Sequence, residues 1–113
     1  MKLFGFSKKE HIRKRKDFLA VIASGQKLQT KHFIIYLRVN SQPFSRLGIT
    51  VSRRVGKAVQ RNRVKRLLRE FFRLHKKDFY RGLDLVIIAK KGAADLTYQQ
   101  VSGELSKVLR CKD

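Results

Sequence analysis

Acidic side chains are scarce in this sequence. Eight Asp and Glu stand against twenty-eight Lys and Arg in 113 residues, which leaves a formal charge of +20. A packed domain with that charge repels itself, so the excess implies a polyanionic partner, and nucleic acid is the most economical one. The few carboxylates are also dispersed; Asp78 and Asp84, flanking the turn-like stretch 80–84, come nearest to a pair. A metal-dependent nuclease centre carried by the protein would need carboxylates gathered on a rigid frame, and the spacing announces none.

Other absences narrow the field further. With one cysteine, Cys111, no intrachain disulfide can form, and the scattered His11, His32 and His75 match no zinc-ligand spacing. Each histidine is therefore expected to be solvated or packed rather than bound to metal. No apolar run approaches the roughly 18 residues that span a bilayer, which weakens an anionic membrane as the partner. Residues 1–10 lack the apolar segment of a secretory signal, so a soluble, cytoplasmic protein is expected. Proline occurs once, in the connecting loop 41–45, and no low-complexity tract or internal repeat divides the chain. The organisation expected is a basic N-terminal arm over residues 1–12 and a single domain over 13–113.

What is present is a hydrophobic fraction of 42%, too high for a disordered basic tail, and a cluster of cations. Residues 53–73, RRVGKAVQRNRVKRLLREFFR, hold nine basic side chains and one acid. On a wheel of about 100° per residue, Leu67, Leu68, Phe71 and Phe72 fall near Val64. Asn62, Arg66, Arg69 and Arg73 fall opposite, and Arg61, Arg63 and Lys65 lie on the flanks. One face can enter a core while the other presents guanidinium groups to a polyanion.

Around this helix, expected from Ala58 to His75, the pattern alternates between periods. A helix is predicted from Arg13 to Ser24, stopped by Gly25. Residues 32–40 alternate as a strand, with Phe33, Ile35, Leu37 and Val39 on one face and Ile34, Tyr36 and Arg38 on the other. Arg46–Ser52 does likewise, Leu47, Ile49 and Val51 against Gly48, Thr50 and Ser52. The apolar run Leu83–Ala89 reads as a buried strand. A last helix opens at Thr97, where Thr97 and Gln100 have capping-box spacing and Leu96 and Val101 can staple. The result is an α+β fold with one sheet face packed and the other partly open. An open face bearing Tyr36, Arg38, Thr50 and Ser52, bordered by the helix of Phe18, suits single-stranded RNA, because bases stack on aromatic rings while cations follow the phosphates.

The run Ser52–Arg69 resembles the signature of the bacterial ribonuclease P protein component, centred on Arg61-Asn62-Arg63 and Lys65-Arg66 and preceded by Gly56, Ala58 and Val59. The likeness extends over almost the whole chain. Lys16-Asp17-Phe18 through Gly25 resembles that family's first helix, Phe33–Tyr36 its second strand, Asp84–Lys90 its last strand and Ala94–Tyr98 the start of its final helix. The resemblance implies a compact α-β-β-β-α-β-α domain like the second domain of ribosomal protein S5. It also implies a left-handed β-α-β crossover through the basic helix, against the usual hand. In function it implies the protein subunit of the ribonucleoprotein that removes the 5′ leader from precursor tRNA. The RNA subunit would hold the catalytic Mg2+ and perform hydrolysis, and the protein would bind no cofactor of its own and contribute no catalytic residue.

Carried onto this chain, the resemblance assigns Arg61, Asn62, Arg63, Lys65, Arg66 and Arg69 to RNA, chiefly the catalytic RNA, together with Arg53, Arg54 and Lys57 just upstream. The leader cleft would comprise Phe18, Ile22, Tyr36, Arg38 and Thr50, with Arg61 and Asn62 near the leader. Many members have a second aromatic one turn after Phe18; this chain has Ile22, which can wall a groove but offers no stacking face. The partners implied are the catalytic RNA and precursor tRNA, with neither membrane nor DNA. A helix-turn-helix DNA reader would need a second helix where Arg46–Ser52 reads as strand. The alternative is a ribosomal or other structural RNA-binding protein without a catalytic partner.

Overall fold

A computed structural model describes residues 10–79 and 82–109; the first nine residues of the basic arm and Cys111 lie outside the described residues. The elements run in the order α1 (Arg15–Ser24), β1 (Gln26–Gln29), β2 (Phe33–Val39), β3 (Arg46–Val51), α2 (Ala58–His75), β4 (Leu83–Ala89) and α3 (Tyr98–Leu109). One mixed sheet has the strand order β1-β2-β4-β3. Strands β1, β2 and β4 pair antiparallel in turn, while β3 pairs parallel to β4. Because α2 connects β3 to β4, the basic helix is the crossover between two neighbouring parallel strands.

The main core lies between one sheet face and helices α2 and α3. Phe33, Ile35, Leu47, Val51, Leu85, Ile87 and Ala89 meet Val64, Leu68, Phe71 and Phe72 of α2 and Val101 and Leu105 of α3. The side chains of α2 divide as the helical wheel predicts: Val64, Leu68, Phe71 and Phe72, at spacings of four, three and one, are buried and Asn62, Arg66 and Arg69 are exposed. At the start of α3, Thr97 N–H donates to Gln100 Oε1 at 2.9 Å and Gln100 N–H to Thr97 Oγ1 at 3.2 Å. The reciprocal cap satisfies two donors that the first turn leaves without helical partners.

The second sheet face is less open than the alternation of β2 and β3 suggests. Strand β4 is apolar on both faces, so Val86 and Ile88 need cover as well. They receive it from α1 and from the segment before it: Ile12, Val21 and Val86 form a second small core with Phe18, Ile22, Tyr36 and Ile88 packed against it. The expected arm over 1–12 is corrected at its end. Ile12 is buried and its N–H donates to Leu47 O at 2.9 Å, His11 bridges Leu47 in parallel, and Glu10 pairs with Lys76 at 2.8 Å. Residues 10–12 thus cover the free edge of β3. Val39, expected on the packed face, is 54% exposed because β2 outruns the core there. Strand β1, four residues with three exposed, completes the other edge.

Candidate nucleic-acid interface

Phe18 sits in the second turn of α1 and forms a wall of two hollows. One, of about 360 Å³, is lined by Arg13, Arg15, Phe18, Leu19, Ile22 and Thr50. The other, of about 150 Å³, is lined by His11, Ile12, Phe18, Leu47, Ile49, Lys65 and Arg69. Phe18, Ile22 and Thr50, predicted as one cleft, are therefore brought together. Each hollow adds cations: Arg13 and Arg15 in the first, Lys65 and Arg69 in the second. Burial first, then the positive charges of Arg13 and Arg69, push the His11 imidazole below its ordinary pKa against the opposing pull of Glu10. At neutral pH it is mostly the uncharged ring, able to donate and accept one hydrogen bond.

The remaining predicted cleft residues are placed differently. Tyr36 packs, like Phe18, against the second small core but borders neither hollow. Arg38 is drawn into a polar network, donating to Ser24 Oγ at 3.0 Å and lying 3.5 Å from Asp84 Oδ2. Its register opposite Asp84 places a charged partner against it, so it is not a free cation facing the groove. Arg61 and Asn62 lie about one turn into α2, outside both hollows; Arg61 Nε is buried without a hydrogen-bond partner, and Asn62 is exposed.

The basic helix is not uniformly available. Arg63 donates to Ala94 O at 2.9 Å, fastening α2 to the turn before α3, and Arg73 makes a two-point pair with Glu70. The exposed cations are Arg53 and Arg54 in a 3₁₀ turn, Lys57 at the helix start, and Arg66 and Arg69 along it. Lys65 and Arg69, assigned to RNA docking by sequence, also border the hollow beside Phe18. A roomier hollow of about 630 Å³ between α2 and α3 presents Lys77 against Asp78, along with Leu74, Tyr98 and Ser102. Its weak net charge gives a polyanion little reason to prefer it.

Sequence reasoning overlooked His11, Arg13, Arg15 and Leu19. Arg15, Leu19 and Ile22 follow one helical stripe beside Phe18, a signal present in the spacing. Nothing local marks His11, which the bridge to Leu47 helps bring to the site. Among the described residues, no three His, Cys, Asp or Glu gather as a metal-binding group. His75 is buried, stacked on Phe71, and His32 pairs with Glu104.

The ribonuclease P family model matches residues 6–113. The chain belongs to the ribonuclease P protein family. A ribonuclease P protein component from Syntrophus aciditrophicus (strain SB) is 46% identical over 109 residues, covering 96% of this chain and 92% of that protein. The solved RNase P protein of Staphylococcus aureus superposes with a TM-score of 0.82 at 35% identity, over 89% of this chain and 93% of the other. That of Thermotoga maritima gives 0.80 at 37% identity, over 92% and 99%. Both the α+β fold and the resemblance read from the motif are thereby shown. Membership makes this chain a protein subunit of bacterial ribonuclease P, a tRNA-processing ribonucleoprotein, with RNA as its partner. Among the described residues, no helix is long and apolar enough to cross a membrane.

Proposed function

We propose that the chain is the non-catalytic subunit of the cytoplasmic holoenzyme, holding the catalytic RNA with one surface and the 5′ leader of precursor tRNA with another. The docking surface is the exposed comb of Arg53, Arg54, Lys57, Asn62 and Arg66, to which Arg61 adds its partly buried guanidinium. Arginine suits it because a planar fork binds phosphate oxygens bidentately and stays charged at every relevant pH. Cations already mounted on a helix also lose little backbone entropy on binding.

The leader surface is the cleft divided by Phe18. A base laid against that ring stacks, and the flanking phosphates meet Arg13 and Arg15 of one hollow or Lys65 and Arg69 of the other. Ile22 and Leu19 give an apolar wall where an aromatic would stack. Contacts to the leader add binding energy that the mature tRNA cannot supply, so precursor is favoured over product. Mg2+ held by the RNA subunit supplies the hydrolytic chemistry; this chain orients the strand and neutralises its phosphates.

The observation that carries this reading is one aromatic residue, Phe18, shared by two cation-lined hollows. Its test is the affinity of the reconstituted holoenzyme for precursor with and without a leader. Phe18→Ala is expected to weaken leader-bearing precursor and to spare the leaderless form. Equal loss for both, or none for either, rejects the cleft assignment.

A further inference from the structure

Gly48 lies in the middle of β3, paired with Val86, and its φ is not positive, unlike those of Gly56 and Gly92. The backbone there accepts any residue, so a different constraint accounts for the glycine. A Cβ built on it would stand 2.7 Å from Phe18 Cζ and 3.0 and 3.1 Å from Cε1 and Cε2. Carbon atoms rest at about 3.5–4.0 Å from one another. The three nearest atoms thus all belong to the far end of one ring, whose tip is seated in the notch that the missing side chain leaves. The same residue, Phe18, lines both hollows.

We propose that Gly48 is a positioning residue for leader binding, acting through Phe18. Its bare Cα fixes how deep the ring sits between α1 and the sheet, and so how much of each ring face is offered to a base. A methyl group at 48 displaces the ring by rotation of a flexible side chain rather than by a shift of β3. The fold survives such a change and the leader contact does not. The inference rests on the leader reading of the cleft given above, and the two can fail separately.

The experiment uses holoenzyme reconstituted with its RNA and compares wild type, Gly48→Ala, Phe18→Ala and the double variant on precursors with and without a leader. Gly48→Ala is expected to lower affinity for leader-bearing precursor at least about fivefold, the lower end for a lost stacking contact. Affinity for leaderless tRNA and for the RNA subunit should stay as in wild type. In the double variant the glycine change should add nothing, because the ring it acts on is gone. If Gly48→Ala binds leader-bearing precursor normally, or weakens both substrates alike, or adds its full effect without Phe18, the role of Gly48 is overturned. If Gly48→Ala does not fold, the double variant must recover folding, as followed by circular dichroism; failure to do so also overturns it. A Phe18→Ala variant with no leader-dependent loss rejects the cleft reading itself, whatever Gly48→Ala does.

Discussion

Arg46 and Asp84 stand opposite each other in the parallel β3–β4 register and close a two-point ion pair, Nε to Oδ1 at 2.8 Å and Nη2 to Oδ2 at 2.7 Å. The carboxylate has no exposed side-chain surface, and it also accepts from Asn40 Nδ2 at 2.8 Å. Burial on its own would raise the Asp84 pKa, but the hydrogen bonds from Arg46 and Asn40 and the charges of Arg46 and Arg38 outweigh it and hold the group below its ordinary value. One acid thereby ties the ends of β2, β3 and β4 in a chain that has few acids to use.

Asp84→Ala is accordingly expected to destabilise the protein by about 3 kcal/mol, since removing one partner of a buried pair leaves the others unsatisfied. The sign of the pH dependence follows from the depressed pKa. The contribution is complete above the ordinary value of 3.8 and disappears as pH falls through the lower folded value. Urea unfolding of wild type and Asp84→Asn between pH 7 and 3 checks it. The gap between them should be widest at neutral pH and should narrow below about pH 4; a gap that widens on acidification contradicts the account.

Gly92 has φ +97 and ψ −16 in the turn that leads to α3, a left-handed conformation costly for any residue with a Cβ. Gly92→Ala is expected to cost about 1–2 kcal/mol, and Gly92→Asn less, because asparagine tolerates this region better. Thermal unfolding of the two variants should rank them in that order. A Cβ there would also meet His32 Cδ2 at 3.3 Å, so a modest shift of the ring accompanies the loss.

Much of this architecture was legible because local patterns and tertiary demands agree. The spacing in α2 separates core from cation, and Thr97 and Gln100 announce a cap that forms. Where they fail, the cause is nonlocal. The chain Gln26–Gln29 has no alternation to read, since an edge strand with three exposed residues needs no apolar face. Ile12 looks like part of a charged arm until Val21 and Val86 surround it. Arg38 reads as a groove cation until the register places Asp84 across from it. The motif located the basic helix but could not divide its cations between two surfaces, because that division depends on which side of α2 the residues of α1 and the β3 edge approach.

Tyr36 offers a way to separate ring from hydroxyl. It is half-buried against the second core and lies outside both hollows. Tyr36→Phe should leave precursor binding within about twofold of wild type if the ring acts chiefly as packing against the second core. Tyr36→Ala should weaken leader-bearing precursor more than Tyr36→Phe does, because the small core against which Phe18 packs loses a packing partner, and should lower the unfolding temperature as well. A strong effect of Tyr36→Phe would show instead that the hydroxyl touches RNA.

Lys65 and Arg66 are neighbours in sequence yet diverge by about 100° around α2. Lys65 borders the hollow beside Phe18, while Arg66 is exposed on the outer face. Their replacements should therefore act on different RNAs. Arg66→Ala should weaken assembly with the catalytic RNA and reduce the slope of log affinity against log salt by roughly 0.7–0.9, the yield of one phosphate contact. Its effect on leader discrimination should be slight. Lys65→Ala should leave most of the assembly slope intact and lower affinity for leader-bearing precursor more than for leaderless tRNA. Titrations of both variants across a range of salt, with each RNA in turn, read all four quantities. If the two substitutions give the same pattern, α2 presents one undivided cationic surface, and the assignment of its inner flank to the leader fails.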